Sequence, residues 1–274
     1  MSGGEIWRAC APQHCSIIKR PKFSREVEFY KQLAPRLREQ GIPIPNLEWS
    51  ASDADSEWMV IEHIPQLLPL ARRGADTEML RVLNRLHTTA LDLSDIPFET
   101  YRPRWDSRLT ADALGLFPRE LAHQLDAALG ILQKECEPLF TPTHPLSGDP
   151  NPRNWGMRAD GSLVLFDWER FCFGSPALDL AITVPGLGNA ALYQRAAAMY
   201  SSFAPEGNAV ELSRINQLAR EMWLGKIWSV VEFLAEHAED ASAADPDTIA
   251  WLVGEFPNTV FNPPLGSETQ IILL

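Results

Sequence analysis

A run of about 18 apolar residues, the least that spans a bilayer, occurs nowhere in the chain. The first residues lack the basic region, apolar stretch and small-residue cleavage site of a signal peptide, and there is no Asn-x-Ser/Thr sequon. Cysteine is scarce: Cys10, Cys15, Cys136 and Cys172, with no Cys-x-x-Cys pair, in 274 residues. That excludes a disulfide scaffold and predicts four reduced thiols in a cytoplasmic protein. Basic charge is also short. Lys and Arg total 24 against 36 Asp and Glu, a net charge of −12. Such a balance argues against a nucleic-acid partner, because phosphate backbones need a net basic surface. Internal repeats and low-complexity tracts are absent, and the readings for partners exclude membrane as well as nucleic acid.

What is present is enough for a folded core, since 45% of residues are hydrophobic and a chain of this length buries most of its surface. Charge is unevenly spread. Residues 1–50 carry 8 basic and 5 acidic side chains, while residues 201–274 carry 3 basic and 11 acidic. Solvated helix faces account for most of the acidic excess. Any remainder favours a cationic small molecule.

The first 65 residues read as strands around one helix. Glu5–Ala9 and Ser16–Arg20 are short strand candidates. Ser24 is placed to cap a helix to about Gln40, with Val27, Tyr30, Leu33 and Leu37 at helical spacing and Gly41 as its stop. Leu47–Ala51 and Trp58–Ile64 follow as strands, bridged by an acidic turn at Asp53 and Asp55. Pro65 and Pro69 then mark a hinge. Beyond it Asp76 caps a helix to His87, with Met79, Leu80, Leu83 and Leu86 on one stripe, and a second helix spans Pro118 to Glu135. Residues 147–168 interrupt the helices. Ser147–Arg153 is a polar loop, and Trp155–Arg158 and Leu163–Asp167 flank the turn signal Asp160-Gly161. From Ser175, with Pro176 at the first helical position, the chain reads as helix to about Glu255. The expected fold class is α+β, with a small sheet-plus-helix lobe (1–65) and a larger, mainly helical lobe (66–274).

The chemistry concentrates in the interruption. Asp149 lies in a loop where its carboxylate meets solvent or substrate. Asn154, five residues on, enters one hairpin strand, and Asp167 ends the other, so the hairpin brings them together. Two oxygen ligands beside a carboxylate suit a hard cation such as Mg²⁺ with phosphate oxygens. His87 reads as packed, Asp179 as a structural carboxylate that hydrogen-bonds the loop. Burial is the simpler use of Trp105, Trp223 and Trp228, although aromatic faces also suit a cationic acceptor.

The segments Ser147-Gly148-Asp149-Pro150-Asn151-Pro152-Arg153-Asn154, Leu165-Phe166-Asp167-Trp168-Glu169 and Gly174-Ser175-Pro176-Ala177-Leu178-Asp179-Leu180-Ala181 resemble the phosphotransferase family of aminoglycoside and choline kinases. Upstream, Ser16–Lys19, Arg25–Tyr30 and Trp58–Glu62 fall in that family's order. The resemblance implies a protein-kinase-like fold and an ATP- and Mg²⁺-dependent phosphotransferase acting on a hydroxyl of a small molecule. Asp149 would be the catalytic aspartate, and Asn154 and Asp167 the Mg²⁺ ligands. Lys19 would contact the α and β phosphates with Glu26 holding it, and the backbone of Glu62, His63 and Ile64 would meet adenine. Two departures stand out. Ser147 occupies a position usually held by His. The first lobe reads as shortened, with Ser2-Gly3-Gly4 the only glycine-rich remnant before Lys19, and a catalytically weak, nucleotide-binding pseudokinase is the alternative that this shortening raises.

Overall fold

The computed structural model describes residues 4–12, 14–52, 56–203, 211–238 and 246–264. Its first strands are β1 (Glu5–Ala11), β2 (His14–Arg20), β3 (Leu47–Ser52) and β4 (Glu57–Glu62), joined antiparallel in the order β1-β2-β4-β3. Side chains alternate between the two faces of a strand, and the register Ile17↔Ile61 and Lys19↔Met59 puts these four on one face. Met59 and Ile61 are buried there. The other face carries Trp7 stacked on Trp58. The acidic turn at Asp53 and Asp55, and Ser2-Gly3, lie outside the described residues.

The hairpin of β1 and β2 corrects one expectation. Its register sets Cys10 opposite Cys15, and the two form a disulfide. A low cysteine count excludes a scaffold, but one pair needs only two facing strand positions, and a count carries no register. Cys136 and Cys172 are free and buried, so the reading of reduced thiols applies to these two.

The helix expected between Ser24 and Gln40 is broken. It runs as α1 (Ser24–Glu28), a π-helical stretch (Phe29–Leu33) and α2 (Ala34–Glu39). Pro35 has no N–H for the preceding turn and its ring crowds the carbonyl four residues back, and the wider π turn accommodates both effects. Phe23, not Ser24, occupies the cap position. Gly41, at φ 78°, ends the helix as expected.

The second lobe opens with the two-residue strand β5 (Gln66–Leu67) and α3 (Thr77–His87). Asp76 caps α3 by accepting from the N–H groups of Glu78 and Met79. The stripe Met79, Leu80, Leu83 and Leu86 is fully buried. Helices α4 (Ser107–Leu114) and α5 (Arg119–Cys136) precede the short strands β6 (His144–Leu146), β7 (Trp155–Met157), β8 (Leu163–Leu165) and β9 (Cys172–Gly174). Strands β7 and β8 form the expected hairpin, while β6 pairs with β9. Then come α6 (Pro176–Thr183), α7 (Ala190–Ser201), α8 (Leu212–Ala238) and α9 (Pro246–Phe261). Helix α8 packs on α4, α6 and α7 and buries Trp223 and Trp228. Trp105 is buried too, so packing is the use of all three. Helix α9 continues past the expected end, through Pro257 to Phe261; burial of Phe256, Pro257 and Val260 offsets the one hydrogen bond that Pro257 cannot make. No described helix is long and apolar enough to cross a membrane.

A half-buried ion pair joins the small sheet to the hairpin. Arg158 grips Glu62 with two parallel bonds, Nε to Oε1 at 2.6 Å and Nη2 to Oε2 at 2.9 Å. This is the bidentate geometry that gives arginine–carboxylate pairs their directionality.

The disulfide makes a direct prediction. Alkylation of the denatured protein without reductant should label two thiols, and prior reduction should raise the count to four. Four labelled thiols in unreduced protein would remove the Cys10–Cys15 bond.

Candidate active site

Lys19 stands on β2 with only 4% of its surface exposed. Its ammonium donates to Glu26 Oε1 at 2.7 Å and to Asp167 Oδ1 at 2.8 Å. Burial opposes the charge, but Glu26 and Asp167 outweigh it and hold the Lys19 pKa above its ordinary value. Glu26, seven residues on, and Asp167, from the far half of the chain, both singled out above, thus meet at the Lys19 nitrogen. Glu28 instead bonds outward to Lys31 and Gln32.

The carboxylates outnumber the cation. Glu26, Asp167 and Glu169 each offer an oxygen within 4.8 Å of the others. Glu26 Oε2 and Glu169 Oε2 are buried without a hydrogen-bond partner. Burial pushes Glu26 up to about 7 even beside Lys19, and Glu169 is raised as well. Orphaned buried carboxylate oxygens around a single ammonium are a hard-oxygen donor set short of positive charge, so the residues present fit a divalent cation such as Mg²⁺. Glu169 was not singled out by sequence. Its signal is its place two residues after Asp167, beside Trp168.

The geometry behind Asp167 is specific. Its backbone is left-handed, φ 66°, the only such non-glycine among the described residues. Asp tolerates this region better than most residues, and such outliers gather at functional sites. Phe166 N–H donates to the Asn154 carbonyl at 3.0 Å, which locks the two ligand-bearing segments together. Trp168 stacks on Phe29 of the π stretch, centroids 4.7 Å apart. The helix carrying Glu26 is therefore packed against the loop carrying Asp167.

Asp149 sits in the loop between β6 and β7. Asn154 Nδ2 donates to its carboxylate and to its main-chain carbonyl, both at 3.0 Å, leaving Asn154 Oδ1 as an acceptor. Burial pushes Asp149 up to about 6, with Arg170 pulling the other way. The loop hangs from Asp179 in α6, which is fully buried. Asp179 accepts from Ser147 N–H at 2.8 Å, Gly148 N–H at 2.9 Å and the His87 ring at 3.1 Å. Ser147 therefore serves through its backbone. Its hydroxyl is buried without a partner, so the residue type at this position is not what anchors the loop. Gly148, at φ 81°, is required: a Cβ there would lie 1.9 Å from the Arg170 carbonyl oxygen.

At the hinge, the groups of Glu62 are largely engaged. Glu62 N–H is taken by the Asn46 carbonyl at 2.9 Å and its side chain by Arg158, so it has no main-chain donor for a base. His63 and Ile64 lie beyond the strand ladder. Arg170 is a further residue that sequence reasoning missed. It pairs with Glu232 and Glu236, lies over the Tyr101 ring, and places a positive charge near Asp149. Its partners come from α8 and the 101 region, so no local pattern marks it.

A family model described as "Phosphotransferase enzyme family" matches residues 16–212. Among solved structures, the chain is similar to choline kinase LicA from Streptococcus pneumoniae, with 15% identity, TM-score 0.61, and coverage of 93% of this chain and 89% of that one. It is also similar to a thermostable mutant of aminoglycoside phosphotransferase APH(4)-Ia, with 15% identity, TM-score 0.63, and coverage of 97% and 92%. A third is Plasmodium vivax ethanolamine kinase, at 14% identity, TM-score 0.59, and coverage of 95% and 82%. These likenesses establish the two-lobed, protein-kinase-like α+β fold. No curated protein sequence matches the chain.

Two outcomes follow from the geometry. Asp149 holds a proton in the folded state up to about pH 6, whereas an ordinary Asp loses it near 4. Its contribution to stability therefore falls as pH rises from about 4 to 6. Asp149→Asn should melt a few degrees above the parent at pH 8, with the gap closing below about pH 4; equal melting at pH 8 would contradict this. Asp179→Asn leaves one carbonyl oxygen for three donors and should cost about 2 kcal/mol in chemical denaturation.

Proposed function

The chain belongs to the phosphotransferase enzyme family, and from that premise we propose that it moves the γ-phosphoryl group of ATP to a hydroxyl of a small molecule. The observation that carries this reading is the convergence of Lys19, Glu26 and Asp167 at one nitrogen, beside a loop that presents Asp149 bonded to Asn154. Supporting it, a structure of APH(4)-Ia (14% identity, TM-score 0.59) is a ternary complex with ADP and hygromycin B.

In this reading the acceptor oxygen attacks the γ-phosphorus, its O–P bond forms as the bond to the β–γ bridging oxygen breaks, and ADP leaves. Asp149 orients the hydroxyl and receives its proton. A carboxylate with a pKa near 6 is a better proton acceptor than an ordinary Asp while still ionised at neutral pH. Lys19 gives charge to the α and β phosphates, and Glu26 keeps its ammonium in place. Asp167, Asn154 Oδ1 and Glu169 would hold Mg²⁺, which when bound neutralises charge on the β and γ phosphates. The main chain of His63 and Ile64 would meet adenine. Alignment and charge neutralisation make up most of what phosphoryl transfer asks of a protein, because its transition state is loose.

Asp149→Ala should lower kcat by roughly 10²–10⁴-fold while ATP with Mg²⁺ still raises the melting temperature. Asp167→Asn should instead abolish the Mg²⁺-dependent part of that stabilisation. Unchanged turnover in Asp149→Ala would defeat the assignment.

A further inference from the structure

Beside Asp149 lies a pocket of about 340 Å³, within the size range of small-ligand sites. Its floor is Asn151 to Arg153, which continue the Asp149 loop. Its wall is the chain leaving α6, Val184 to Gly186, and its far side carries Arg73 and Lys226. Three lining residues are cationic, Arg73, Arg153 and Lys226, and none is acidic.

The pocket cations lack the carboxylate partners that several cations around the candidate active site have. Arg72, Arg158, Arg170 and Lys19 each have a carboxylate within ion-pair distance. Among the described residues, no carboxylate pairs with Arg73, Arg153 or Lys226. Lys226 is only 7% exposed, and its ammonium has one donor on the Val184 carbonyl at 2.9 Å. Burial pulls its pKa down to about 8, with the Asp149 charge acting the other way. Arg73 uses Nε on the Leu68 carbonyl, which leaves the rest of its fork for a ligand. A buried charge is costly unless something pairs with it, and the pocket lining gives the Lys226 ammonium one carbonyl and no carboxylate. Asn151 to Arg153 line the pocket and follow Asp149 in the same loop, so a ligand on the Lys226 ammonium stands against the segment that carries Asp149.

We propose that the acceptor is an alcohol bearing an anionic group, a carboxylate or a phosphate ester, which docks on Lys226, Arg73 and Arg153 while its hydroxyl faces Asp149. The proposal rests on the phosphotransferase reading and names its substrate class. It runs against the acidic net charge of the second lobe, which favoured a cation. Distant surface charges are screened beyond about 8 Å at physiological salt, so the charges lining the pocket decide.

The test measures ADP release with Mg-ATP and four acceptors: glycerate, glycerol 3-phosphate, glycerol and ethanolamine. At least one of the two anionic alcohols should exceed glycerol and ethanolamine roughly tenfold or more in kcat/KM, and which one does so separates carboxylate from phosphate recognition. Lys226→Met and the exposed-site change Arg153→Ala should each raise the acceptor KM roughly tenfold with little change in kcat or in KM for ATP. A preference for glycerol or ethanolamine would overturn the proposal and leave the kinase reading intact. Loss of all Mg-ATP binding by the parent would instead count against the kinase reading. If no panel alcohol turns over, inorganic phosphate is titrated into the Mg-ADP complex. It should stabilise the parent and not Lys226→Met, and equal stabilisation of both would overturn the anionic site.

Discussion

The loop that carries Asp149 is positioned by a carboxylate sealed off from solvent. Asp179 is wholly enclosed, so its charge must be met by donors, and the donors at hand are two consecutive backbone N–H groups of the loop and the ring of His87. Leaving any of them unpaired in the interior would be more costly than the bond itself is worth. The arrangement joins α3, α6 and the loop at one point. His87 extends it through Nδ1 to the Tyr200 hydroxyl at 2.9 Å, and so to α7. Helices that have little to do with chemistry thereby set where Asp149 stands.

Around the nucleotide-facing end the constraint is electrostatic. One ammonium serves three carboxylates, and the protein accepts that imbalance by letting Glu26 and Glu169 drift toward their protonated forms. A site built this way is poised for additional positive charge. The stacked Phe29 and Trp168 rings keep its two sides from separating.

The loop 147–154, the hairpin and the Ser175-capped helix were legible because local rules govern them: a polar turn, an Asp-Gly reversal, a proline at the first helical position. Lys19 and Glu26 were legible through a strand followed by a helix, and the role of Asp179 through its place in a short motif. Features that depend on register or on convergence were not. Cys10 and Cys15 become partners only when β1 and β2 pair in a particular alignment. The π turn before Pro35 leaves no mark in the apolar spacing of Val27, Tyr30, Leu33 and Leu37. Arg73, Arg153 and Lys226 are scattered over the chain and form a group only where α6, α8 and the loop meet.

Gly148 leaves no room for a side chain because the carbonyl of Arg170 occupies it. The Asp149 loop and the segment after Asp167 are thus fitted backbone to backbone, with no side chain between them to trade for another. The pocket walls at Arg73, Gly186 and Lys226 belong to other segments. Of the three pocket cations, Arg153 is tied to the fitted loop, whereas Arg73 and Lys226 stand on other segments and can change without disturbing that fit.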